Sequence, residues 1–252
     1  MNILILAAGY ATRLYPLTKN KAKPLLEVAG KPMIEWVLDN LAPVPGIKNV
    51  YVVTNDKFAA DFTAWAEEFG CRQPDVTFKI INDNSRSDDD KLGAIGDINL
   101  VVARENLVED DLIVVAGDNL FSQPLDGFAE FARGKEAVLA LYDVKDLEAI
   151  KKYNAIEIDK DGIITHFEEK PAEPKSTLTG IALYYFSKET VGLFPTYIAA
   201  GNNPDQPGRF IQWLYTRVPV HTYTVPGIWF DIGSKETLEE ANGVFQEFVN
   251  TP

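Results

Sequence analysis

A chain of 252 residues, 46% of them hydrophobic, has enough apolar material for a sizeable core, in one large α/β domain or two small ones. Its 24 Lys and Arg against 37 Asp and Glu give a net charge of -13, which argues against extended binding along a nucleic-acid backbone or to an anionic membrane. The single Cys71 leaves no intrachain disulfide framework and no cysteine-rich zinc site, so a reducing compartment, the cytoplasm, is the simpler location; no stretch reads as a signal peptide or transmembrane span.

The chain begins with an apolar run, residues 3–6, that reads as a buried strand. It opens into Ala7-Ala8-Gly9, small residues whose amides can lie close to an anion. Arg13 and Lys23 add a planar fork and a mobile point charge, a set suited to a polyphosphate, although neither the dinucleotide glycine fingerprint nor GxxxxGK[ST] is present. Pro32 is expected in the first turn of a helix whose stripe is Ile34, Val37, Leu38 and Leu41, with Pro43 and Pro45 ending it. Residues 49–54 read as a second strand. Phe58, Phe62, Trp65 and Phe69 mark a second helix, as core rather than a base-stacking platform, and residues 76–81 a third strand. The polar run 82–91 is a solvated loop, after which Leu92-Gly93 opens a third helix.

Residues 112–116 form a continuous apolar strand ending in Gly117-Asp118-Asn119. A carboxylate just past the carboxyl end of a central parallel strand points into the ligand crevice of an open α/β sheet. A short helix (126–132) and a strand (137–142) follow. The second half changes texture: residues 155–158 and 163–167 make a hairpin around Asp159-Lys160-Asp161-Gly162 and deliver Glu168-Glu169-Lys170-Pro171. Thr179-Gly180 precedes an aromatic strand at 181–186. Residues 201–208 read as a loop and 210–216 as a short helix with Trp213 on its buried side. A strand at 220–225 leads to Trp229-Phe230-Asp231-Ile232-Gly233. Ser234 is placed to cap a last helix with the stripe Leu238, Ala241, Phe245 and Phe248.

From Gly9-Tyr10-Ala11-Thr12-Arg13-Leu14, Lys23-Pro24, Gly117-Asp118-Asn119, the Glu169-Lys170 segment and the Trp229–Gly233 pattern, the chain resembles the sugar-1-phosphate nucleotidylyltransferases, nearest the glucose-1-phosphate thymidylyltransferase and uridylyltransferase branch. Ala8 and Ala11 stand where many members have glycine. The resemblance implies a Rossmann-like, GT-A-like fold: a doubly wound mixed sheet with an inserted sugar-binding lobe. It runs as one domain over 1–252, with a nucleotide-binding part at about 1–145, a sugar-binding part at about 146–233 and a C-terminal helix at 234–249. No hexapeptide-repeat tail is seen, so a C-terminal β-helix domain is not expected. Leu6, Ala8, Gly9, Arg13, Asn82, Gly93 and Asp118 are the implied nucleotide-binding residues, with Asn82 or Asn84 reading the base. Lys23, Tyr153, Asn154, Glu169, Lys170, Thr179 and Gly180 are the implied sugar-phosphate residues. Asp118 and Asp231 are the implied Mg2+ carboxylates, and Arg13 and Lys23 join them as catalytic groups.

The implied reaction joins a nucleoside triphosphate, dTTP or UTP, to a sugar 1-phosphate with release of pyrophosphate. The identities of base and sugar stay open at this stage. His166 and His221 need no role in it. Two other readings keep weight: a cytidylyltransferase acting on a phosphorylated alcohol such as phosphocholine, and a non-catalytic regulatory subunit that senses nucleotide sugars. A dinucleotide-binding oxidoreductase is disfavoured by the missing glycine fingerprint. The family also admits a homo-oligomer, which no segment of the sequence demonstrates.

Overall fold

The computed structural model describes residues 1–249. In chain order the strands and helices are β1 (Asn2–Leu6), β2 (Glu27–Val28), β3 (Lys31–Pro32), α1 (Met33–Leu41), β4 (Asn49–Thr54), α2 (Ala59–Gly70), β5 (Thr77–Asn82) and α3 (Ala94–Arg104). Then come β6 (Leu112–Ala116), β7 (Asn119–Phe121), α4 (Asp126–Ala132), β8 (Ala137–Asp143), α5 (Leu147–Ile150), β9 (Asn154–Ile158) and β10 (Ile164–Glu169). The chain continues through β11 (Leu178–Phe186), α6 (Lys188–Val191), α7 (Phe194–Ala199), α8 (Pro207–Leu214), β12 (Val220–Thr224), β13 (Trp229–Asp231) and α9 (Lys235–Val249). Among the described residues, seven strands hydrogen-bond in the order β12-β8-β11-β6-β1-β4-β5. The sheet is mixed: β4–β5 and β8–β12 are parallel, whereas β11 runs antiparallel to β8.

Two compact units divide the chain. One comprises Ile3–Lys91, Val115–Gly127 and the segment from Pro226. Its apolar cluster includes Leu14, Val28, Met33, Trp36, Leu120 and Phe245, all buried. The Trp36 and Phe245 rings meet edge to face at 5.0 Å, and the Asn242 side chain accepts the Ala29 amide, so α9 is fastened to the β2–β3 corner. β7 and β13 form a separate antiparallel ribbon in this unit.

The other unit comprises Met1–Asn2, Leu92–Val114 and Phe128–Val225. An aromatic cluster anchors its helices: Phe194 and Phe210 stack at 4.1 Å, with Phe186 and Tyr197 set edge-on to Phe210. β9 and β10 make the expected hairpin, with Asn154 opposite Glu169. Asp159 holds the turn by accepting the amides of Asp161 and Ile163.

Several expectations need correction. Pro32 lies in β3 and at the N-cap of α1 rather than in its first turn, because it pairs with Glu27 across the short β2–β3 corner. Thr179 and Gly180 lie inside β11, not before it, since β8 pairs with both. Trp213 is only half buried; Phe210, Ile211 and Leu214 form the inner face of α8, while the Arg217 guanidinium covers the Trp213 ring at 4.1 Å. The short helices α5, α6 and α7 had no periodic signal long enough to read.

Candidate active site

The chain leaves β1 through residues that the sheet holds from below. The Ala7 amide donates to Val53 O, and the Asn55 side chain donates to Ala8 O at 2.9 Å, so the buried floor of the loop is fully bonded. Gly9 by contrast is exposed, and a Cβ there would meet nothing within 4 Å, which leaves its backbone open to a ligand. Ala11 adopts φ +47, the left-handed region, stabilised by the Thr18 hydroxyl donating to its carbonyl at 2.7 Å. This accounts for the glycine preference of that position and shows how alanine is tolerated there. The following 3-10 turn, Thr12–Leu14, presents Arg13 to solvent and buries Leu14.

Lys23 opens a second 3-10 turn, Lys23–Leu25, and its Nζ meets Asp118 Oδ2 at 2.5 Å. Gly117 makes this approach feasible. A Cβ on Gly117 would lie 3.0 Å from Ile5 Cγ2 and 3.1 Å from the Pro24 ring, so the Lys23-Pro24 segment seats on the bare backbone between β6 and Asp118. Asp231 arrives from more than a hundred positions away by strand pairing: it stands opposite Asn119 in the β7–β13 ribbon. Burial pushes the Asp231 carboxyl up to about 6, and the neighbouring Asp118 charge pushes in the same direction, against the opposing pull of Lys23 and Arg13. Arg13, Lys23, Asp118 and Asp231 are therefore brought into one electrostatic cluster within one unit.

Two residues that the sequence reading did not single out support this cluster. Asn119 is buried, donates from Nδ2 to Asp118 Oδ1 at 3.2 Å, and accepts from Trp229 Nε1 at 2.7 Å. No group of three or more His, Cys, Asp or Glu side chains among the described residues could hold a metal by itself. Two adjacent carboxylates are nevertheless the donor set that Mg2+ uses when substrate phosphate and water complete its shell. The pair fits that ion.

At the ends of β4 and β5 in the same unit, Asn82 Nδ2 donates to Asp56 Oδ1 at 2.8 Å, and Asn82 Oδ1 accepts the Asn84 amide at 2.8 Å. Asn84 takes a left-handed φ of +64. Gly93 belongs to the other unit. Its φ is +79, and a Cβ would fall 2.6 Å from both Asp205 Cα and Pro204 O. The Ala94 and Ile95 amides at the start of α3 donate to Asp205 O and Pro204 O. The loop before α8 thus packs on Gly93 and gives that glycine a packing reason of its own.

The second unit gathers Tyr153, Asn154, Glu169, Lys170, Thr179 and Gly180. The β9–β10 register sets Glu169 against Asn154, and the Lys170 amide donates to Tyr153 O at 2.7 Å. Asn154 reaches across to β11: its Oδ1 accepts the Gly180 amide at 2.7 Å and its Nδ2 donates to Gly180 O at 3.0 Å. One side-chain amide here bonds both backbone polar groups of Gly180. Thr179 is fully buried, with its hydroxyl 3.3 Å from Asn154 Oδ1, so its side chain faces inward. Lys170 sits at φ +49, a left-handed position unusual for a lysine. Burial raises the Glu169 carboxyl, and Lys170 and Arg209 pull it back down. Arg209 was missed by sequence reasoning. Its signal is the neighbouring Gly208, whose absent Cβ would stand 3.3 Å from Glu169 Oε2, bringing α8 against the hairpin.

A family model for nucleotidyl transferases matches residues 2–247. The chain belongs to this family. Among curated proteins, it is 26% identical over 251 residues to the bifunctional protein GlmU of Methanocaldococcus jannaschii, covering all of this chain and 56% of that one. It is 29% identical to the mannose-1-phosphate guanyltransferase of Yarrowia lipolytica, covering 92% of this chain and 61% of the relative. The chain thus spans little more than half the length of these relatives. Among solved structures, a glucose-1-phosphate thymidylyltransferase of Bacillus anthracis in complex with sucrose superposes with a TM-score of 0.83 at 24% identity, over 98% of this chain and 96% of that one. A UDP-glucose pyrophosphorylase complexed with UDP-glucose gives 0.80 at 21% identity, over 98% of both chains. These two likenesses establish the mixed α/β fold of the family. Among the described residues no helix is long and apolar enough to cross a membrane.

Proposed function

We propose that this nucleotidyl transferase family member transfers a nucleotidyl group from dTTP or UTP to a sugar 1-phosphate in a Mg2+-dependent reaction. The observation that carries the reading is the pairing of Asp231 with Asn119, next to Asp118 in the chain, which sets the two carboxylates in one electrostatic cluster with Lys23 and Arg13. The pyrimidine preference draws on the names of the structural neighbours, a thymidylyltransferase and a UDP-glucose pyrophosphorylase. A guanyltransferase among the relatives makes GTP a necessary arm of any test.

In this reading an oxygen of the sugar phosphate attacks the α-phosphorus, a P–O bond forms, and the bond to the β-phosphate breaks with its electron pair leaving on pyrophosphate. Asp118 and Asp231 would hold Mg2+, which would supply charge neutralisation for the phosphates. Arg13 faces the leaving pyrophosphate, Lys23 takes the attacking phosphate, and Leu6, Ala8 and Gly9 line the nucleotide's path, with Asn82 toward the base. Within the other unit, Lys170 takes the sugar phosphate and Glu169 accepts from sugar hydroxyls near Tyr153, Asn154, Thr179 and Gly180. No general base is needed, because a phosphate monoester is already largely ionised at neutral pH. The reading includes a cytoplasmic enzyme whose nucleotidyltransferase domain spans 1–252.

The test is pyrophosphate release with Mg2+ across dTTP, UTP, GTP and CTP, each with glucose 1-phosphate, other sugar 1-phosphates and phosphocholine. Release with dTTP or UTP only when a sugar 1-phosphate is present is the expected outcome. Release confined to CTP and phosphocholine would replace it with the alcohol-phosphate reading.

A further inference from the structure

The Asp118 carboxylate is satisfied on both oxygens before any substrate arrives. Oδ1 accepts from Asn119, which is itself pinned by Trp229 Nε1, and Oδ2 accepts from Lys23 Nζ at 2.5 Å. Lys23 and Asp118 are only 13% and 25% exposed, so the contact is largely shielded from water. The two supports differ in kind. Asn119 is a buried, neutral, short side chain held in place from behind, whereas Lys23 is a cation on a flexible four-carbon stem.

We propose that Lys23 is an exchangeable counter-ion of Asp118, seated on the carboxylate oxygen that a divalent cation would take, while Asn119 and Trp229 position the other oxygen permanently. A monovalent ammonium offsets one of the two carboxylates, which leaves Asp231 without a comparable partner; a divalent ion offsets both. On exchange Lys23 gives up Oδ2, and its ammonium becomes available to a substrate phosphate. Metal loading and phosphate capture are thereby linked through one side chain, and Asn119 and Trp229 act as positioning residues. The inference rests on the reading of Asp118 and Asp231 as metal carboxylates.

The test is Mn2+ binding to the substrate-free protein, followed by the electron paramagnetic resonance of free Mn2+ at about pH 8.5. Wild type is compared with Lys23→Met, Lys23→Gln, Arg13→Met and Asp118→Asn; the two Lys23 variants guard against one failing to fold, and melting curves verify each. Wild type should bind Mn2+ and Asp118→Asn should lose that binding. Lys23→Met and Lys23→Gln should each tighten it by roughly fivefold or more, the order of one screened unit-charge contact. Arg13→Met, which removes the same charge without a hydrogen bond to Asp118, should change it less. Equal tightening in the Arg13 and Lys23 variants, or weaker binding without Lys23, would overturn the exchange while leaving the metal reading intact. If wild-type binding is absent or survives Asp118→Asn, the metal reading falls and the exchange with it.

Discussion

Asp231 stands opposite Asn119 across the β7–β13 ribbon, and this pairing sets its carboxylate in the field of Asp118. Two like charges are placed together in a largely buried setting, and the protein relieves them with Lys23 and Arg13.

That arrangement has a pH signature. The folded Asp231 carboxyl titrates near 6, above its ordinary 3.8, so the folded protein binds this proton more tightly than the unfolded chain. The stabilisation is fully present below the unfolded value and is lost as pH rises through the folded one. Metal-free wild type is therefore expected to lose on the order of 2 kcal/mol, relative to Asp231→Asn, between about pH 4 and pH 7. Urea melts of both proteins in EDTA across that range measure the difference. Parallel curves would show that Asp231 is not under this strain, and turnover by the variant would remove it from the metal site.

Gly117→Ala tests the seat of the Lys23-Pro24 segment. A new Cβ would press on Ile5 and on the Pro24 ring at 3.0 to 3.1 Å. The expected cost is about 1–3 kcal/mol, with turnover falling more than stability alone explains, because Lys23 is displaced from Asp118. An unchanged melting temperature together with unchanged kcat would show that the contact yields freely.

Lys170→Gly separates strain from function. Glycine adopts φ +49 without steric cost, so the variant should be as stable as wild type or more stable by about 0.5–1 kcal/mol. It should also raise KM for the sugar phosphate far more than KM for the triphosphate. The reverse pattern of KM values would move Lys170 out of the acceptor site.

Asn154→Ala leaves the Gly180 amide and carbonyl without the partners that Asn154 supplies. A loss of about 1–3 kcal/mol is expected. Asn154→Asp should be worse than an isostere suggests, because it loses the donor and sets an anion against the Gly180 carbonyl. Hydrogen exchange at the Gly180 amide reads the effect directly: it should accelerate in the alanine variant, and unaltered protection would show that the bond is dispensable.

The sequence made the main elements legible where periodicity ran long enough. The aromatic stripe from Phe58 to Phe69 became α2, and the apolar run at 112–116 became β6. Asp118 was legible from its place just past an apolar strand, whereas Asp231 was picked out only by the resemblance of the Trp229–Gly233 pattern to the family. What was not legible depended on contacts between distant segments. Asn154 and Gly180 are 26 positions apart and lie on strands of different sheets, and only the folded chain shows that the side-chain amide of one bonds the backbone of the other. Arg209 fell between the loop read at 201–208 and the helix read at 210–216, whereas it lies inside α8, and nothing local said that Gly208 would lie against Glu169. Gly93 illustrates the converse: a glycine motif read for a ligand also has a backbone neighbour, the Pro204–Asp205 loop, that forbids a side chain.

The ribbon that pairs Asp231 with Asn119, next to Asp118, also fixes when, during synthesis, the site can exist. Arg13, Lys23 and Asp118 are all made before β13, which follows Asp118 by more than a hundred positions. A growing polypeptide on the ribosome therefore carries an incomplete set of these four charges until β13 emerges, and the second carboxylate is the last of them to join.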